Sequence, residues 1–349
     1  MNSTLSEREN FLRAVGFGRP QWIPICFDMF PAVKLRYGDA LKALFRAHPL
    51  IFEEREIETF EDWRSDPLLR AGTYTDCWGC GWHNACEGNL GYVVEHPLAD
   101  WGALVNFRPP DPLAAEDWQQ NRATAEARRR NGELVHGGTP IETGGFFDRL
   151  QFLRGLDNLL ADFTLDPPQL RALIDMVLDY NMTCIDKWME IGVDIMHFHG
   201  DLATQRGLMM SPEMFRRYVK PAYREMFQAC RKHGAHVHYS CDGNLLGIVD
   251  DLIECGVSYH DPQVRANGID AIAETYTGRL CAMVDIDEQM LPFCTPRDID
   301  EQVREIISRV GSPEGGLILF ACPSEDVPLE NIEAICTAWE NYRFEGCGR

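Results

Sequence analysis

The feature that most constrains this chain is a rhythm that begins at residue 134. Short apolar runs of strand character recur at residues 134–138, 194–200, 235–241, 258–263, 280–287 and 316–322, and helical patterns fill most of the intervals. A further buried-strand candidate, WIPICFDMF, lies earlier at residues 22–30. Strand followed by helix, over and over, implies a parallel sheet covered by helices. With seven or so strands in one chain, the expected fold is an α/β TIM barrel, (β/α)8, as a single domain over residues 1–349. No GxGxxG follows the first strand, which weighs against a dinucleotide-binding fold.

The helices carry their own punctuation. PQLRALIDMVLDYNMTCIDKWMEIG spaces Leu170, Leu173, Val177, Tyr180, Cys184 and Trp188 by three or four residues, and Gly192 closes it. Ser211, Pro212 and Glu213 read as N-cap, N1 and N2 of another helix that Pro221 splits. Thr295–Pro296 repeats that grammar before Val303, Ile306 and Ile307. At the start, Thr4 and Glu7 form a T-x-x-E capping box ahead of Phe11, Leu12 and Val15. Residues 31–133 are less regular; TYTDCWGCGW and GNLGYVVEHPL suggest a strand hairpin. The barrel is thus expected to carry an N-terminal helical and hairpin elaboration.

Charge narrows the partners. The 33 basic residues face 54 acidic ones, a formal net charge of −21, which argues against nucleic acid or an anionic membrane. No apolar run approaches the roughly 20 residues that span a bilayer. Thirteen cysteines without a signal-peptide pattern read as reduced thiols in a cytoplasmic protein. Oligomeric state stays open, a homodimer among the options.

Barrel chemistry sits where strands end. Here those ends carry Asp28, His197 and His199 with Asp201, His238 with Cys241 and Asp242, His260 with Asp261, Asp285 with Asp287, and Cys322 with Glu325. Loop-start residues and helix caps would account for some of these, but not readily for nearly every strand. Imidazole and thiolate are preferred zinc ligands, so His238, Cys241 and Cys322 are candidates for one metal with an open fourth position. Other cysteines and histidines have plainer readings. Cys77 and Cys80 form a C-x-x-C with no second pair, read as a packed turn around Trp78, Gly79 and Trp82. Cys184, Cys230 and Cys255 fall at helical core positions, while Lys232 and His233 suit a helix C-terminus.

Taken in order, four segments resemble the uroporphyrinogen decarboxylase superfamily, most closely its cobamide-dependent methyltransferase branch. They are SERENFLRAVGFGRPQWIPICFD, GDLATQRGLMMSPEMFRRYVKPAYREMF, GAHVHYSCDGNLLGIVDDLIECGV and the run from CAMVDIDEQM through GGLILFACPSEDVPLENIEAI. The resemblance implies a barrel with its site at the strand C-termini. Decarboxylases of that superfamily carry an arginine-rich segment after the first strand to clamp tetrapyrrole carboxylates. This chain has Asp28 and Met29 there.

The methyltransferase branch implies zinc held by His-x-Cys after one strand and by a cysteine after the last, which Cys322 matches. A gap-free match anchored on Gly243 and Asn244 puts Ser240 and Asp242 at the first two positions. Period two also sets Cys241 on the face opposite His238. Three alternatives stay open: His238, Cys241 and Cys322; His238, Asp242 and Cys322; or no metal. The function implied is methyl transfer between a small molecule and a corrinoid carried by a partner protein. Asp201 is the expected catalytic carboxylate, and Asp28, His199, Gln205 and Asp285 are expected substrate contacts. Decarboxylation of an aromatic or porphyrin-like acid, or a catalytically silent binding barrel, are the alternatives.

Overall fold

The computed structural model describes residues 5–114, 116–138 and 145–344. Seven parallel strands form its centre: β1 Ile25–Phe27, β2 His136–Gly138, β3 Ile195–His199, β4 His236–Ser240, β5 Tyr259–His260, β6 Cys281–Asp285 and β7 Leu317–Ala321. From β2 onward each strand pairs with the next, and β7 returns to pair with β1. Register places His197 opposite His238, Tyr259 opposite both His238 and Cys281, and Cys26 opposite Phe320. A sheet whose last strand comes back to its first is a barrel opened along one seam, here between β1 and β2.

The closed eight-stranded barrel expected from the sequence is therefore corrected. Among the described residues the main sheet has seven strands, and the seam is unpaired. The chain between β1 and β2 is spent on short helices and a separate antiparallel sheet, Gly72–Thr75, Gly81–Asn84 and Tyr92–Glu95. That is the elaboration the aromatic and Gly-rich segments suggested. β2 itself is only His-Gly-Gly, and glycine has little side chain to pack on a pleated surface.

Alternation along the strands divides the apolar residues between two cores. Ile195, Tyr259, Cys281, Met283 and Ile318 meet inside the ring, with Val15 packed among them. The opposite faces join the larger core under the helices, where Trp188, Phe227, Leu252 and Trp339 are buried. The helix Glu7–Val15 lies against β7: Gly316 donates its N–H to Ala14 O at 2.8 Å. Its N-cap is Ser6, which accepts from Glu9 N; Thr4 lies outside the described residues.

Local signals elsewhere are realised as written. Pro168–Ile191 buries all six of the spaced core residues and ends on Gly192 at φ +81, whose N–H bonds Trp188 O. Ser211 caps Pro212–Met214, and Thr295 with Asp298 forms a capping box for Pro296–Val310. Pro221 has no N–H to give to a preceding turn, and a π-helical turn, Phe215–Val219, intervenes before Lys220–Lys232.

The C-x-x-C segment is a packed turn built on Asp76. Asp76 Oδ1 accepts from Trp78 N and Cys80 N, while Oδ2 accepts from Trp82 Nε1 and Arg149 Nη1. No helix among the described residues is long and apolar enough to cross a membrane.

Candidate functional site

Parallel pairing brings every strand C-terminus to one mouth, and the loops there interlock through carboxylates. Asp201 N–H donates to Asp148 Oδ1 at 3.0 Å, and Asp242 N–H donates to Asp201 Oδ1 at 3.3 Å. Gln263 Nε2 then donates to Asp242 Oδ1 at 3.0 Å. Deeper in, Asp261 accepts from Ser240 Oγ at 2.6 Å and from Cys241 N–H at 3.2 Å. Asp285 Oδ1 accepts from Val264 N–H at 2.6 Å. Gly243, at φ +91, lets Thr204 O approach so closely that a Cβ there would meet it at 2.6 Å. The loop after β3 thereby seats on the loop after β4.

Three of these acids, and Glu288 in the loop after β6, are held near neutrality. Burial, then the charge of Asp201, pushes Asp148 up to about 7. Burial raises Asp261 to about 8 against the opposing bonds from Ser240 and Cys241, with the charge of Asp242 adding to the rise. Burial dominates again at Asp285, about 7, and at Glu288, about 8, where Asp285 and Asp242 add like charge. Groups poised in this range can both give and take a proton at neutral pH.

The residues singled out in the sequence are largely brought together. Asp28 and Asp201 are both exposed, and both act on His199 strongly enough to oppose the burial that lowers its pKa. Cys322 lies within reach of the charges of Asp28, Glu288 and Asp242. Asp201 emerges at the mouth as expected, bracing the Asp242 N–H instead of capping a helix. Gln205 occupies the exposed tip of the Ala203–Leu208 hairpin.

The metal set does not assemble. Cys241 Sγ turns into the core, where it accepts Leu202 N–H at 3.3 Å and lies 3.3 Å from Asp242 O. The strand runs straight to Ser240, so alternation keeps Cys241 on the face away from His238. Burial and the nearby acids raise the pKa of both the Cys241 and Cys322 thiols. His238 spends Nδ1 on His197 Nδ1 at 2.8 Å. Among the described residues no three His, Cys, Asp or Glu side chains form a group able to hold a metal ion, so the set with Asp242 is not assembled either. As placed, these residues do not fit zinc.

In place of a ligand cluster, a row of imidazoles runs inward from His136, which is exposed at the seam. His136 Nδ1 lies 2.7 Å from His197 Nε2, and His197 continues to His238. Burial lowers His197 to about 3, so this imidazole is neutral, while the exposed His136 is the least shielded of the row. His238 Nε2 lies 3.9 Å from Asp261 Oδ2; with the imidazole uncharged, that is a polar contact and not an ion pair.

Asp148 and Glu288 went unrecognised in the sequence. Neither terminates a strand: Asp148 lies in the first turn of Phe147–Arg154, and Glu288 in the loop after β6. The acid run VDIDE was the one available hint for the latter. Asp261 was legible as a strand end, but its depth and proton affinity were not.

Residues 96–342 match the model of a family described as uroporphyrinogen decarboxylase (URO-D). Among solved structures, a methyltransferase from Methanosarcina mazei aligns with TM-score 0.64 over 97% of this chain and 99% of that one, at 15% identity. That degree of identity speaks to the fold alone. A 3-keto-D-glucoside 4-epimerase from E. coli aligns with TM-score 0.38 and 14% identity, over 64% of this chain and 86% of its own. The latter similarity carries no argument. No curated protein sequence matches the chain.

Proposed function

The chain belongs to the uroporphyrinogen decarboxylase family, and from that premise we propose a methyltransferase that moves a methyl group between a small molecule and a corrinoid carried by a partner protein. The observation that carries this reading is the ring of poised acids, Asp148, Asp261, Asp285 and Glu288, behind an exposed Asp201. A polyanionic tetrapyrrole would meet like charge from the exposed Asp28 and Asp201, with Asp28 and Met29 where its arginines would be needed. A neutral or cationic methyl carrier would not. The superposition with a methyltransferase is consistent with this choice within the family.

Docked on its carrier, the corrinoid would supply the cobalt that accepts or gives the methyl group. The rim offers a surface for that docking: Phe30, Met290 and Phe293 are exposed on the loops after β1 and β6, Phe293 at 79%. An apolar rim around a polar mouth suits a transient partner. The chain's own residues handle the proton. A heteroatom that loses its methyl group retains the bonding electron pair and needs a proton; an acceptor that gains a methyl group must shed one. Asp201 faces that atom as the acid/base, and Asp148 behind it is the group able to replenish or relieve it. Asp28, His199 and Asp285 line the substrate's side of the mouth. The reaction belongs to the reducing cytoplasm, where the cysteines stay free thiols.

The test is methylation and demethylation of free cobalamin over a panel of O-, N- and S-methyl compounds and their demethylated partners. Transfer with one of them supports the proposal. Carbon dioxide release from aromatic or porphyrin-like acids, without methyl transfer, would decide for decarboxylation. Neither activity would leave a binding barrel.

A further inference from the structure

Away from the mouth, a cavity of about 450 Å3 opens along the seam between β1 and β2. Phe11, Ile25 and Leu134 form its apolar walls, and its inner end reaches His197 and His238. The volume is that of a small-molecule site. Two polar groups lining it are buried and unsatisfied. The Arg343 side chain is 4% exposed, yet its Nε has no hydrogen-bond partner among the described residues. The His238 side chain is 8% exposed, and its Nε2 has no partner either.

The Arg343 charge is poorly compensated. Among the described residues its one ion pair, from Nη2 to Glu7 Oε1, is long at 3.5 Å, and the Glu7 side chain is 77% exposed. Burial draws the guanidinium below its ordinary pKa, and the charges of Glu7 and Glu340 only partly offset that. The paired Nη–H groups at the tip of a guanidinium form a fork that a carboxylate fills with two parallel bonds.

We propose that the seam cavity is a second ligand site, for a small carboxylate with a compact apolar body. Arg343 binds the carboxylate, displacing the loose contact with Glu7. The apolar walls hold the body, and the neutral imidazoles meet whatever polar group its far end carries. Glu53 also stands at the rim. A cationic ligand is therefore the competing outcome that the probes must separate. The site is independent of the methyl-transfer reading and survives its failure.

Three isosteric probes decide it: benzoate, benzyl alcohol and benzylammonium, titrated into the full chain by calorimetry, with the His136 and His197 ring signals followed by NMR. Benzoate is expected to bind, shift both rings, and exceed the alcohol by about tenfold or more in affinity, as a charge-assisted pair implies. Arg343→Gln should abolish that preference, and Leu134→Trp, which fills the cavity, should block binding. Arg343 also packs near Trp22, so the Leu134 variant keeps the test alive if Arg343→Gln fails to fold. Tighter binding of benzylammonium, benzoate affinity unchanged in Leu134→Trp, or no binding by any probe would each overturn the proposal.

Discussion

The backbone N–H of Asp201 meets Oδ1 of Asp148 at 3.0 Å, tying the loop after β3 to the first turn of the helix Phe147–Arg154. The bond holds an exposed carboxylate against a buried one, and the charge of the first helps keep the second protonated. Structure and proton supply are joined at this point.

Replacing Asp201 by Asn separates the two. The amide oxygen still accepts Asp242 N–H, so the loops should stay in place. Turnover is expected to fall roughly a hundredfold or more, the scale of lost acid–base assistance. With the like charge gone, Asp148 should titrate below about 7. A near-normal rate with a lowered melting temperature would show Asp201 to be a brace alone.

The Asp261 contribution to stability should decline from pH 3.8 to about pH 8, its last stretch lying between about pH 6.5 and 8. Asp261 has its folded pKa raised from 3.8 to about 8, so between those values the folded state holds a proton the unfolded chain has released. Its contribution is complete below 3.8 and is lost as pH rises through 8, at about 1.4 kcal/mol per pH unit. Asp261→Asn should flatten urea-derived stability over this window by about 2 kcal/mol. Identical slopes in the variant and the parent would contradict the buried, protonated state.

Cys241→Ala should act as a core substitution. It strands the Leu202 N–H, an effect of about 1–3 kcal/mol, and leaves the metal content of the purified protein unchanged. Elemental analysis with chemical denaturation checks both. Loss of stoichiometric zinc in this variant would restore the thiol to a ligand role.

Arg149 and Asp76 form an ion pair with both side chains fully buried, joining the antiparallel sheet to the helix that carries Asp148. Arg149→Met leaves a carboxylate without its cation in the core and should cost about 3–5 kcal/mol. The double variant with Asp76→Asn should recover part of that loss in a denaturation cycle.

Much of the frame could be read directly. Every anticipated strand exists, because continuous apolar runs between Gly- and Pro-marked helices leave few alternatives. Cys241 shows where the reading erred: joining it to His238 as a ligand needs a bulge near Ser240, and the strand keeps to period two and sets the thiol on the opposite face. The acid centre was less visible. Asp148 and Glu288 reach the mouth from a helix start and a loop, and proton affinity is set by burial and neighbouring charge that one-dimensional spacing does not encode. The seam was hidden for a similar reason, since nothing in residues 31–133 says that they fold apart from the ring.

The pairing of β1 with β7 sets a timetable for synthesis. Ile25 leaves the ribosome roughly 300 residues ahead of Leu319, its register partner. Until then the first strand offers a bare edge, and the ring lacks its most distant contact. Such long-range pairing slows folding and prolongs exposure of sticky edges. A chain halted before β7 would therefore be a kinetic hazard out of proportion to the few residues it lacks.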